Sequence, residues 1–249
     1  MTRFVTILSC WMLVSATAAG QTATLKMRFV LDGTPPPVGQ INVAPPFGPI
    51  IDERLLVDPK SRGIKNVLVY VYTGRGGSSI NVPPGESRTR RLTMTNGRFE
   101  PHILIAQAGD TLELVERGPI RHNPNVQFFA NTRQGILVPP GKPHLIPIPK
   151  PEPAPIPVVC NIHPWMRAYL VVLDHPYAAV SDSDGNLEID GLPAGTSLTF
   201  RVFHEDNQLD RVNLSGIDTE WRRNRFDVEL DTGVNDLGDV LIPAESLIP

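Results

Sequence analysis

The stretch Val158-Val159-Cys160-Asn161-Ile162-His163-Pro164-Trp165-Met166-Arg167, VVCNIHPWMR, sets a thiol, an imidazole and a thioether at i, i+3 and i+6. A backbone coiled near three residues per turn brings those positions to one side. Pro164 fixes the backbone angle after the histidine and stops a regular helix from continuing. The chain has 2 cysteines, and the other, Cys10, lies in an apolar N-terminal run. Once that run is removed, Cys160 has no partner for a disulfide. Thiolate and thioether are soft ligands that favour copper, and imidazole accepts copper too. Two histidines, one cysteine and a weak axial methionine make a blue-copper electron-transfer site. The loop supplies three of those four donors.

The fourth must come from elsewhere among the 6 histidines of the chain. His122 is the preferred candidate, because Asn123 follows it directly and its amide can support the backbone near the cysteine. His102, in RFEPH, is the rival. His144, His175 and His204 read as turn or surface residues. Zinc is disfavoured, since methionine is a poor ligand for it and no fourth hard ligand is evident. A cysteine nucleophile would need an oxyanion site and an orienting carboxylate, and neither is visible. The chain therefore reads as a metal carrier of electrons and not as an enzyme.

Residues 1–20 read as a secretion signal: Arg3 at the start, the apolar run FVTILSCWMLVSA, then Ala16-Thr17-Ala18 as a cleavage pattern. The run is too short to span a bilayer, so an exported protein, periplasmic or extracellular, is expected with no membrane span. Loss of Arg3 leaves 22 of the 23 basic side chains against 26 acidic ones, a net charge of −4. That balance gives no reason to expect nucleic acid or an anionic membrane as a partner.

Moving outward from the loop, short Val-, Ile- and Leu-rich runs alternate with turn signals at intervals of about ten residues, the pattern of an all-β sandwich or barrel. Strands are predicted at 25–30, 66–72, 91–95, 102–106, 111–115, 126–129, 170–173, 187–189, 198–202, 226–230 and 239–242. Asn96-Gly97 is a hairpin dipeptide. In IPIPKPEPAPIP (146–157) alternate prolines remove every amide donor on one side of an extended chain. That predicts an arm ending in an edge strand that carries the thiol. Asp182, Asp184, Asn186 and Glu188 alternate like calcium ligands, but the glycine at 185 is misplaced for such a loop, and a hairpin turn is expected.

CNIHPWMRAYLVV (160–172) resembles the copper loop of the cupredoxin (plastocyanin/azurin-like) family, in its short amicyanin-like form C-x2-H-P-x-M-R. Gly97-Arg98-Phe99-Glu100-Pro101, Ala108-Gly109-Asp110-Thr111-Leu112 and Arg121-His122-Asn123 resemble further elements of that family, in the same order. The resemblance implies a Greek-key cupredoxin β-sandwich, one mononuclear Cu(I)/Cu(II) ion and one-electron transfer to a redox partner protein. It implies ligands at His122, Cys160, His163 and Met166. Asn123 would support the site, and Pro164 and Trp165 would form the rim where a partner docks. The chain departs from the family at Glu116-Arg117-Gly118-Pro119, Pro124 and Val158.

The flanks resemble larger bacterial secreted proteins of the methylamine-utilisation-like subgroup, which add a prealbumin-like or carboxypeptidase-regulatory-like sandwich. The expected division is a signal at 1–20, an N-terminal β segment at 21–65, a copper domain at 66–174 and a C-terminal β-sandwich segment at 175–249. Two other readings are a redox-silent secreted scaffold or adhesion protein, and a copper carrier.

Overall fold

The computed structural model describes residues 21–82, 85–205 and 209–247. The expected secretion signal lies outside the described residues. These are almost entirely β, and their only helical element is a single 3-10 turn, Ala244–Ser246. The strands form two packed sandwiches.

The first sandwich joins both ends of the chain. One sheet runs in the order Asn186–Pro193, Thr22–Asp32, Gly233–Pro243, Arg211–Leu214, Ile217–Glu220. The facing sheet runs Ala178–Val180, Leu68–Val71, Thr196–Phe203, Arg225–Leu230. Thr22–Asp32 alternates as a half-buried strand must: Ala23, Leu25, Met27 and Phe29 point into a core shared with Val69, Phe200 and Trp221. It also pairs in parallel with Gly233–Pro243, so the C-terminal segment is completed by the N-terminal one. The predicted strand at 66–72 belongs here as well. Leu68–Val71 bonds to Ala178–Val180 and Thr196–Phe203, not to the segment that follows it.

The second sandwich spans Thr89–Leu173. One sheet runs His144–Pro147, Thr111–Glu116, Thr89–Thr95, Arg98–Glu100; the other runs Gln134–Gly135, Pro124–Val126, Ile156–Cys160, Arg167–Leu173, Ile103–Gln107. Leu92, Met94, Phe99, Leu112, Leu114, Val158, Cys160 and Leu170 are among the residues that fill the space between them. Thr111–Glu116 is parallel to Thr89–Thr95, and Arg167–Leu173 is parallel to Ile103–Gln107, so the chain must cross over rather than meander. Asn96 (φ 49°) and Gly97 (φ 73°) make the expected tight hairpin between Thr89–Thr95 and Arg98–Glu100.

The uninterrupted apolar run AYLVVL has a physical reason. Ala168, Leu170 and Val172 face the second core, whereas Tyr169, Val171 and Leu173 pack with Leu68, Tyr70 and Ile103 between the sandwiches. A strand covered on both faces loses its polar alternation.

The proline-rich arm divides differently from the expectation. His144–Pro147 is an edge strand against Thr111–Leu114, but Ile156–Cys160 is an interior strand, paired with both Pro124–Val126 and Arg167–Leu173. Only Pro157 of the run falls inside that strand, so both of its sides keep the amides they need. Glu152, between the two strands, accepts the amides of Phe129, Ala130 and Asn131 and anchors the arm. The Asp182 carboxylate accepts the amides of Asp184 and Asn186, which makes it the closing group of a hairpin turn.

Candidate metal centre

The short connection between Ile156–Cys160 and Arg167–Leu173 is closed by its own backbone. The Cys160 amide donates to the Met166 carbonyl at 3.2 Å and the Met166 amide to the His163 carbonyl at 2.9 Å. This tight loop, with Pro164 at its corner, puts Cys160, His163 and Met166 in the interior at 2, 8 and 1% exposure. His163 Nδ1 lies 3.6 Å from Cys160 Sγ. Burial first, and the neighbouring His122 second, lower the His163 pKa from its ordinary value. The ring is therefore neutral at pH 7, and a neutral imidazole can offer a lone pair to a metal.

His122 arrives from the neighbouring strand of the same sheet, just before Pro124–Val126, which pairs with Ile156–Cys160. Its ring centroid is 4.7 Å from that of His163, and it is 2% exposed. Asn123 fixes this approach. Its amide donates to Cys160 Sγ at 3.5 Å, its carbonyl accepts the Asn161 amide at 2.9 Å, and its side-chain oxygen accepts Asn161 Nδ2 at 2.8 Å. The side-chain support foreseen from the sequence thus reaches Asn161, and the backbone of Asn123 does the rest.

Glu116 is the residue that sequence reasoning passed over. At the end of Thr111–Glu116, with its side chain fully buried, it accepts a hydrogen bond from His122 Nδ1 and another from the Gly118 amide. A carboxylate only accepts, so Nδ1 carries the proton of that bond, which leaves Nε2 as the ring atom that can serve a metal. That Nε2 is buried without a hydrogen-bond partner. An unpaired buried polar atom is costly and calls for an explanation, and a metal ion would satisfy it. The signal in the sequence was an acidic residue six positions before the histidine.

Among the described residues no group of three or more His, Cys, Asp or Glu side chains is spaced as a metal cluster. What the pocket gathers is a mixed set, two imidazoles with the Cys160 sulfur, whose softness suits copper. His102, the rival to His122, is engaged elsewhere: Nε2 with Glu205 at 2.7 Å and Nδ1 near Glu53 at 3.7 Å. His175 Nε2 donates to the Val71 carbonyl. His144 lies on the edge strand and His204 is buried beside Glu205.

Trp165 is half-buried, donates to the Gly97 carbonyl at 3.1 Å and lies 5.1 Å from the His163 ring. Pro164 and Ile162 are exposed. The ring of Phe47, from the N-terminal segment, meets His163, Trp165 and His122 at 5.1, 5.8 and 6.3 Å.

No protein-family model matches the chain, and no curated protein matches it. Among solved structures it is similar to a copper-containing nitrite reductase from Thermus scotoductus SA-01, with 20% identity and a TM-score of 0.32 over 39% of this chain and 25% of that one. It is also similar to an amicyanin variant in its reduced state, with 18% identity and a TM-score of 0.29 over 33% of this chain and 79% of that one. Another amicyanin variant, in the Cu(I) form, has 17% identity and a TM-score of 0.31 over 34% and 81%. The chain thus spans about a quarter of the nitrite reductase. At this level of likeness the chemistry rests on this chain's own side chains.

Proposed function

We propose that this chain is an exported blue-copper protein of cupredoxin fold, carrying single electrons between redox partners without converting a substrate. The observation that carries the reading is the meeting of His122, Cys160 and His163 in one buried pocket, with His122 Nε2 left unpartnered. The four residues that would hold the ion are His122, Cys160, His163 and Met166. When bound, copper supplies a centre that cycles between Cu(I) and Cu(II). The chain contributes a thiolate donor held by the Asn123 amide, two oriented imidazoles and a rigid frame of paired strands. Ile162 and Pro164, exposed beside His163, are where a partner would approach.

Adding Cu(II) to the metal-free protein is expected to give an intense visible thiolate band and a reversible one-electron wave in voltammetry. Tight Cu(I) binding without a reversible wave would favour the copper carrier instead. No uptake would leave the redox-silent scaffold.

Glu116 orients the His122 ring and fixes its tautomer, and such outer carboxylates typically contribute about 10–100-fold in metal affinity. Glu116→Gln keeps the shape but removes the charge, so Cu(II) affinity in a chelator competition should fall within that range. An unchanged affinity would show that Glu116 serves packing alone.

A further inference from the structure

Gln40–Ile41 and Ile50–Ile51 pair as the stem of a small hairpin whose loop, 42–49, reads NVAPPFGP. We propose that this loop is a strap over the candidate metal pocket and that Phe47 is its plug, closing the solvent edge of His163. The proposal deepens the copper reading but concerns the protein's own side chains, with or without an ion.

Three observations converge on it. First, Phe47 is half-buried on a loop whose three prolines are exposed, and its ring meets His163 edge-on at an interplanar angle of 80°. Edge-to-face rings at such distances attract. Second, the hairpin opposite has made room for it. A Cβ on Gly97 would stand 2.9 Å from Phe47 Cδ1, so the plug is seated against a position where any side chain would push it away. Third, the strap is pinned beyond the site. The Asp52 amide donates to the Gly39 carbonyl at 2.9 Å. The Glu53 carboxylate lies 3.7 Å from His102 and 3.9 Å from Arg98, both on the second sandwich.

Clefts flank the strap on both sides, one of about 440 Å³ reaching Pro164 and Trp165 and one of about 630 Å³ reaching Glu116 and His122. Between the clefts, Phe47 and the Glu53 ion contacts join the strap and its stem to the second sandwich. The strap's three prolines limit the loop's own freedom, so it moves as one piece about its stem. A plug of this kind keeps small anions and water from His163, and a partner approaching at Pro164 would meet the strap's stem across the cleft beside it.

The test is diethylpyrocarbonate labelling of the metal-free full chain at pH 7, read by peptide mass spectrometry with His144 as internal reference. In Phe47→Ala the rate at His163 should rise at least about tenfold relative to His144, the size expected when a local opening step is removed, whereas Phe47→Leu should stay close to the parent. An unchanged His163 rate in Phe47→Ala overturns the proposal. Should that variant unfold, all histidines accelerate together, and Gly97→Ala, which displaces the ring without deleting it, takes its place. In either folded variant, selective acceleration at His163 supports the strap, and a His163 rate unchanged from the parent overturns it. In the copper-loaded protein, azide should shift the visible band of Phe47→Ala and not that of the parent. A band that never forms counts against the copper reading and leaves the labelling result standing.

Discussion

Cys160→Ser is expected to abolish the visible band and to weaken Cu(II) binding by more than about a hundredfold, or about 2.7 kcal/mol. The bound follows from the hierarchy of a metal site. Outer residues typically contribute about 10–100-fold, and the thiolate is the softest and only anionic donor among the proposed four. The fold should survive. Cys160 lies on an interior strand whose backbone pairs with Pro124–Val126 and Arg167–Leu173, and none of those bonds involves the sulfur. The serine hydroxyl keeps a short reach to the Asn123 amide, which now points at sulfur from 3.5 Å. Burying that hydroxyl costs about 1–3 kcal/mol where its hydrogen finds no acceptor. The measurements are a Cu(II) titration followed by visible spectroscopy and a near-ultraviolet circular dichroism spectrum of the metal-free variant. Retention of the band in a folded Cys160→Ser protein would remove the thiolate from the centre.

The loop was legible because its chemistry is local. Cys160, His163 and Met166 are close in sequence, and Pro164 marks where the backbone must turn. His122 was legible through its neighbour Asn123, whose backbone and amide do bind the cysteine loop. Turn dipeptides such as Asn96-Gly97 were equally local, and so were strands with a clean period of two. The remainder depends on partners distant in sequence. Leu68–Val71 carries no mark that it pairs with 178–180 and 196–203 in preference to the residues that follow it. Arg211–Leu214 and Ile217–Glu220 make a hairpin around Ser215-Gly216 that the sequence pattern did not suggest, because their exposed faces carry little apolar alternation. Phe47 is the clearest case. In NVAPPFGP it resembles a loop aromatic, and only the folded chain brings it to His163, more than a hundred positions later in the sequence. Glu116 lies just past the strand predicted at 111–115 and stood out only as a departure from the family pattern, yet its side chain is fully buried.

His102→Gln is expected to destabilise the protein by about 3 kcal/mol and to erase much of its loss of stability in alkali. His102 is the point where three parts of the chain meet: it belongs to the second sandwich, Glu205 to the first and Glu53 to the segment just after the strap's stem. Burial pulls the His102 pKa down, but the bonds to Glu205 and then Glu53 outweigh it and hold it up at about 9. Arg98 beside Glu53, Arg167 beside Glu205, and Asp52, His204 and Tyr169 nearby complete the charged and titratable surroundings. Against an ordinary histidine near 6.5, that rise corresponds to about 3 kcal/mol. The sign is set by linkage. A raised histidine stabilises fully below its unfolded value of 6.5, and the contribution disappears as pH climbs through about 9. Glu205 is lowered from 4.5: burial raises it, but His102 hydrogen bonding and charge, Arg167 and Tyr169 outweigh that. Its share is therefore present above 4.5 and lost as pH falls further. The junction is strongest between about 4.5 and 6.5 and weakens steadily toward 9. In the variant, Glu205 keeps Arg167 at 3.6 Å, which places the loss at the low end of the 3–5 kcal/mol typical for a buried charge deprived of its partner. For a chain of this size that is a fall of about 6–12 °C in Tm. Thermal unfolding from pH 5 to pH 9 tests both halves, and limited proteolysis within 174–180 reports whether the junction itself has opened. A variant as stable as the parent at pH 6, or one that keeps the parent's alkaline slope, would mean that these carboxylates do not hold His102 charged and that the two sandwiches are joined by the apolar layer of Leu68, Tyr70, Tyr169 and Val171 alone.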